Sequence, residues 1–309
     1  MVSFLQSPNW QEFQQALGRK TFTDQGKDWS YLAIKESGTL NTRLYTPYGP
    51  NCLDPNSFDQ ALASLKVIAK EQRASFIRVE PTIGISRNQL EVRGFKPVTY
   101  QQLQPAHSQI IDLTPDVDEI LAQMSQNSRN ITRNYHKKGL SIRTSHQVED
   151  IKILTSLLSG VAARNQITTH TEDYFKAQAE ALFPTKSATL YIADFEDQPI
   201  AAALVLDSAD TRIYAHAAAN SEYRKLNAGT AIVGQLILDA KTAGLAKVDL
   251  YGITESDDPN HPWAGFTRFK KSFGGQSVAY PGAWDLPLKP LNYWLYRTYQ
   301  SLRRRFRRR

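Results

Sequence analysis

A chain of 309 residues with 41% apolar and 22% charged side chains is globular rather than disordered, and it is long enough for two domains. Its net charge of +7 resides at its end: six of the 37 basic residues fall within 303–309, and the remaining 31 face 30 acids, which excludes a protein that coats nucleic acid broadly. Cys52 is the single cysteine, excluding an internal disulfide and a multi-cysteine zinc site, and no apolar run approaches the ~20 residues of a membrane-spanning helix.

The opening residues, MVSFLQSPNW, lack the basic and apolar regions of a secretion signal, so a cytoplasmic protein is expected. Ser7-Pro8 starts a helix with Trp10, Phe13 and Leu17 on one face, and Gly18 ends it. Strand-like runs follow at about Tyr31–Lys35 and Thr42–Tyr45, then the loop Tyr48-Gly49-Pro50. A helix carrying Leu62, Leu65 and Ile68 leads into the alternating run Ser75–Pro81, a strand that places Arg78 and Glu80 on one face. Gln102–Pro105 reads as a connection, so a first domain over residues 1–105 and a second over 106–287 are expected.

The second domain opens on a strand, His107–Leu113. Thr114-Pro115 is read as the cap of one long helix that runs through SQNSRNITRNYHKK to Gly139. Arg129, Arg133, Lys137 and Lys138 form a basic ridge on it, whose commoner meaning is a solvated face. Ser141–Thr144 is a strand, Val148–Arg164 a helix, and Thr171 caps a further helix with Tyr174, Phe175 and Leu182. Leu190–Asp194 and Ile200–Leu206 form a hairpin, Arg212–Ala217 adds a strand, and the helix Gly229–Thr242 crosses to a strand at Val248. This order is that of an acyl-CoA N-acyltransferase-type (GNAT) fold. The expected class is therefore α/β (α+β) with two tandem GNAT-like domains, the first half being a degenerate copy of the second.

From Asp249 to Gly282 the chain reads DLYGITESDDPNHPWAGFTRFKKSFGGQSVAYPG. A short helix, Gly265–Phe273, spaces Phe266, Phe269 and Phe273 on one aromatic face, with Arg268, Lys270 and Lys271 projecting off it. A basic cluster beside a strand's end suits an anion or an oxyanion, although periodicity alone favours an ordinary amphipathic helix. Beyond it, Leu291, Trp294, Leu295, Tyr299, Leu302 and Phe306 give a final helix, about 288–309, an apolar face before and within the basic tail 303–309. Residues 291–299 are expected to dock back on the first domain. An electrostatic role is expected for Arg303, Arg304, Arg305, Arg307, Arg308 and Arg309, against tRNA or an anionic membrane.

These motifs resemble the FemABX family of peptidoglycan-bridge aminoacyltransferases nearly end to end. Phe4-Leu5-Gln6-Ser7 with Trp10, Tyr48-Gly49-Pro50 and Phe76–Pro81 resemble landmarks of its first domain, and Gln104-Pro105 with Ile110-Ile111-Asp112-Leu113 resembles its domain seam. Ser128-Arg129-Asn130-Ile131 with Lys138-Gly139, the hairpin Ile192–Leu206, and Gly-Phe-x-x-Phe-Lys-x-x-Phe-Gly-Gly before Tyr-Pro-Gly resemble those of its second. The inserted helical hairpin of some members is absent, a basic position of the family is His170 here, and an aromatic one is Ala217.

The resemblance implies transfer of an amino acid from aminoacyl-tRNA to the stem-peptide amine of a peptidoglycan precursor, nucleotide-linked or lipid II. Aminoacyl-tRNA is then a co-substrate, and neither a cofactor nor a metal is expected; the six histidines form no HxxxH pair. The protein would work in the cytoplasm, up to the inner face of the plasma membrane. The ester is already activated, so no enzyme nucleophile is required, and neither a Gly-x-Ser-x-Gly elbow nor a Cys-His pairing stands out. By match to the family, Lys270 is the candidate catalytic residue, stabilising the oxyanion. Glu80, Thr168, His170, Tyr174, Phe269 and Asp249 are candidate substrate contacts, with a turn role the readier meaning for Asp249. The alternative is a CoA-dependent N-acyltransferase, whose phosphate cradle would fall at Arg224–Gly229, where Asn227 takes the place of a close-approach glycine.

Overall fold

The computed structural model describes residues 3–38, 41–101, 103–165 and 169–307. The chain divides into two compact units, one of residues through Ala106 together with those from Ala279 onward, the other spanning His107–Val278.

The first unit is built on a seven-stranded mixed sheet. Its strands run in the order Thr21–Gln25, Trp29–Ser37, Thr42–Thr46, Phe76–Val79, Trp284–Pro287 and Lys96–Pro97, with Asn51–Cys52 pairing against Trp29–Ser37. Between the parallel strands Thr42–Thr46 and Phe76–Val79 lies the helix Pro55–Glu71. Asp54 and Ser57 cap it reciprocally, and Pro55 sits at its first position, an arrangement worth about 1 kcal/mol. Its apolar stripe, Phe58, Ala61, Leu62, Leu65 and Ala69, is buried in one cluster with Tyr31, Leu44, Ile77, Val79 and Trp284.

The strand Trp284–Pro287 arrives from beyond the second unit and occupies the interior of this sheet. The second domain therefore ends at Val278 rather than at 287. The final helix, Pro290–Arg307, packs Tyr293 and Tyr296 on Phe76, with ring centroids 5.2 and 5.1 Å apart.

The second unit holds another seven-stranded sheet, ordered Gln276–Ala279, His107–Asp112, Lys247–Gly252, Thr211–Ala219, Gln198–Asp207, Ala188–Phe195 and Leu140–Ser145. Here too a helix, Ala228–Thr242, connects two parallel strands, Thr211–Ala219 and Lys247–Gly252. Both units thus repeat the sequence meander, helix, parallel strand. The parallel pair is bonded only from Thr211 to Ile213, opposite Lys247 to Asp249, and then parts.

One expected helix is two. Asp116, not Thr114-Pro115, caps Val117–Gln123, and Met124 leaves the helical region. Ser125 caps a new helix, Gln126–Asn134. A Ser side chain competing for backbone amides is the local signal for such a break. The second of these helices lies so close to Ala228–Thr242 that a Cβ on Gly234 would sit 2.1 Å from the Thr132 hydroxyl oxygen. The helix expected at Val148–Arg164 begins as a 3-10 turn and is α-helical over Ile151–Asn165.

Candidate functional site

The strand Lys247–Gly252 pairs with His107–Asp112 as far as Asp249, bulges through Leu250 and Tyr251, and resumes with Gly252 opposite Ser108. Tyr251 takes a φ of 62°, costly for a residue with a side chain. The buried carboxylate of Asp249 holds it there, accepting the Tyr251 N–H at 2.7 Å and the Ser108 hydroxyl. The bulge turns the Tyr251 and Gly252 carbonyls toward the helix Ala264–Lys271, where the Lys270 ammonium donates to them at 3.2 and 2.7 Å. An ammonium has three donors; among the described residues these two carbonyls accept from two of them. Burial pushes the Lys270 ammonium down to about 8, with the charge of Asp249 opposing. Burial likewise raises Asp249, against the bonds from Ser108 and Tyr251 and the charge of Lys270.

The expected three-ring face is rotated by one residue. Thr267 and Phe273 are buried and Phe269 is partly so, whereas Phe266 is 55% exposed. Thr267 points inward because its hydroxyl oxygen accepts the Thr254 N–H at 3.0 Å. Lys270, one turn on, follows it inward, while Arg268 and Lys271 stay exposed. Phe269 meets Phe273 edge-on at 5.3 Å and packs against the core, supporting the lysine's helix. Beyond the helix, Gly275 has a φ of 75°, and a Cβ there would lie 2.2 Å from the Ile110 carbonyl oxygen. The Ser128 motif reaches the same place: Ser125 N–H donates to the Ser272 carbonyl, and the Ser128 and Ser272 hydroxyls are 2.8 Å apart.

In the first unit the landmark motifs converge on Glu80. Its carboxylate is buried and accepts from the Tyr45 hydroxyl at 2.5 Å and the Gln104 N–H at 3.4 Å, while its own N–H donates to the Gly49 carbonyl. The Tyr48 hydroxyl donates to the Pro105 carbonyl, and the Gln6 amide bridges Leu32 to the Pro47 carbonyl. Burial pushes Glu80 up to about 7, against the hydrogen bonds of Tyr45, Gln104 and Tyr48 and the charge of Arg78. The folded protein holds this proton more tightly than the unfolded chain, so stability falls as pH rises from ~4.5 to ~7. Glu80→Gln removes the titration, and wild type should lose up to ~3 kcal/mol relative to it between pH 4.5 and 8. Urea unfolding of both proteins across that range checks this, and parallel curves would refute it.

Elsewhere in the second unit, His170 stacks on Tyr174 at 3.9 Å and 12°, and His216 meets Phe175 edge-on at 4.9 Å and His170 at 6.0 Å. Thr171 caps the helix that carries Tyr174. Sequence reading missed His216. It lies on Thr211–Ala219 beyond the last residue paired with Lys247–Gly252. The register of that strand shifts between the partners of Leu204 and Val205, which leaves Ala215 unpaired and breaks simple alternation. Burial, then the nearby His170, pushes His216 down to about 4, so it is neutral at physiological pH. Thr168 lies outside the described residues, as do Arg308 and Arg309; Arg303, Arg304, Arg305 and Arg307 occupy the last turns of the final helix. Asn227 adopts the left-handed conformation (φ 58°) ahead of Ala228–Thr242, and its side chain makes no cap to that helix.

A family model described as the FemAB family matches residues 90–197 and 193–301. The lipid II:glycine glycyltransferase of Staphylococcus haemolyticus (strain JCSC1435) is 23% identical over 171 residues, covering 52% of this chain and 39% of that protein. The chain thus spans well under half the length of this curated relative. The crystal structure of FemX superposes with a TM-score of 0.84 at 17% identity, covering 96% of this chain and 94% of that one. A tandem GNAT protein from the clavulanic acid biosynthesis pathway gives a TM-score of 0.50 at 12% identity, covering 84% and 79%. These likenesses agree with the two GNAT-like units.

Proposed function

Because the chain belongs to the FemAB family, we propose that it transfers an aminoacyl group from aminoacyl-tRNA to the stem-peptide amine of a peptidoglycan precursor. The observation that carries this reading is the Lys270 ammonium, half-buried and held by two carbonyls, in the segment that the family model matches. A relative 23% identical over 171 residues is named for glycine transfer on lipid II, which supports a precursor of that class as acceptor.

The reaction needs no covalent enzyme intermediate. The neutral amine attacks the ester carbonyl carbon, and the carbonyl oxygen takes up negative charge. The tetrahedral adduct then expels the ribose oxygen, which receives the proton lost by nitrogen, and an amide replaces the ester. The remaining N–H of Lys270 stabilises the charge on that carbonyl oxygen. Glu80 in the first unit, whose carboxyl burial holds near neutrality, is offered separately as a contact for the precursor's stem peptide. His170 and Tyr174 offer a stacked polar surface for the precursor's phosphates or sugar. Among the described residues no helix is long and apolar enough to cross a membrane, and we place the reaction on the cytoplasmic side, where charged tRNA resides.

Incubating the protein with a mixture of charged tRNAs and either a nucleotide-linked muropeptide or lipid II, then weighing the product, tests the reading. The expected product is heavier by one aminoacyl residue, and ribonuclease treatment prevents its formation. Acyl transfer from acetyl-CoA without tRNA would overturn the proposal in favour of the CoA-dependent reading.

A further inference from the structure

The final helix, Pro290–Arg307, carries two apolar faces where a docked helix needs one. Its inner face is spent within the first unit: Tyr293 and Tyr296 are buried against Phe76, the Tyr296 oxygen accepts from Arg43 at 2.8 Å, and the Tyr293 hydroxyl donates to Asp285 at 3.2 Å. Among the described residues the opposite face stays exposed. Leu291, Trp294, Leu295, Tyr299 and Leu302 recur at helical spacing and are 48–70% exposed. Five of the eleven large hydrophobic side chains exposed among the described residues thus lie in twelve consecutive positions. Singly exposed leucines are ordinary, but a contiguous stripe marks a contact surface.

Charge selects the occupant. After Asp285 the chain has no acidic residue, yet it carries Lys289, Arg297 and the six arginines of 303–309. A second copy of this face would set arginines against arginines. A nucleic acid would meet the arginines but leave the leucines and Trp294 in water. An anionic bilayer surface satisfies both, since acyl chains cover the stripe, the indole suits the interface, and headgroups neutralise the guanidinium groups.

We propose that the outer face of Pro290–Arg307, with the arginines that follow, docks this protein on an anionic lipid surface. The inference goes beyond the transfer reading, and its vesicle-binding test uses none of that reaction's substrates. The probes are vesicles of phosphatidylcholine, with and without one third phosphatidylglycerol, used in co-sedimentation. Wild-type protein is expected to bind the anionic vesicles at least ~30-fold more strongly than the neutral ones. Binding should fall about tenfold or more in 0.5 M salt, because exposed charges are screened.

The triple variant Trp294→Ser/Leu295→Ser/Leu302→Ser, and separately a chain ending at Leu302, should each lose at least ~10-fold in binding. Both should retain the wild-type melting temperature, because the altered residues lie outside the core. Equal binding to neutral and anionic vesicles, or wild-type binding by either variant, would overturn the proposal. So would a tenfold rise in KM for charged tRNA on truncation with vesicle binding intact, which would give the tail to RNA. A lipid-independent dimer that the triple variant abolishes would assign the stripe to self-association instead.

Discussion

Lys270→Ala is expected to lower the single-turnover transfer rate about a hundred- to a thousandfold, the ~3–4 kcal/mol that one buried oxyanion donor typically contributes. Structural damage should be modest. Losing the ammonium leaves the Tyr251 and Gly252 carbonyls without this donor, but it also removes a charge that burial disfavours, and the two effects oppose. Lys271→Ala, one position around the helix and exposed, is the control and should fall within threefold of wild type. A Lys270→Ala rate within threefold of wild type would remove the lysine from the chemistry.

The pH profile sharpens the test. With its proton lost near pH 8, Lys270 ceases to be a cationic donor. The wild-type rate should therefore decline as pH rises through about 8, and the residual rate of Lys270→Ala should lack that alkaline limb.

The second large effect is on stability. Arg78 and Asp285 are fully buried and paired at 2.7 and 2.9 Å. Burial opposes the guanidinium's charge, and Asp285 more than restores it. Tyr100 and Tyr293 also donate to Asp285, and Arg78 donates to Gln101 at 3.0 Å. Asp285→Ala strands a charged guanidinium in the first unit's sheet and should cost ~3–5 kcal/mol. Replacing both partners, as Arg78→Met/Asp285→Leu, should recover much of that loss, since the pair's own desolvation cost disappears with it. Urea unfolding measures both variants. A loss below ~1 kcal/mol in the single variant, or a double variant no better than the single, would refute the account.

What the sequence revealed depends on the distance over which each interaction acts. The helix at Pro55–Glu71 and the meander near 190–219 were legible because capping, proline placement and periodicity are local. Lys270 was legible through the motif around it, but its inward orientation was not. Periodicity nominated Phe266 for the buried face, whereas a hydrogen bond from Thr254 N–H to Thr267 sets the helix's rotation. The partner of Arg78 lies 207 residues away, beyond any window of pattern reading. The bulge that turns the Tyr251 and Gly252 carbonyls toward Lys270 comes from Asp249 and Ser108, 141 positions apart. Composition alone separated the arginine tail from a nearly neutral body, yet only the packing of Tyr293 and Tyr296 shows which face of the last helix is already occupied.

The strand Trp284–Pro287, seated between Phe76–Val79 and Lys96–Pro97, dictates an order of assembly on the ribosome. The second unit is one unbroken stretch and can close as soon as it emerges. The first must wait, its sheet gapped at Phe76–Val79, for more than 170 residues of intervening chain to be made. Throughout that interval the edge of Phe76–Val79 that Trp284–Pro287 will fill offers open hydrogen-bonding groups to any neighbouring chain. The nascent first unit is therefore where chaperone capture and aggregation during synthesis should concentrate.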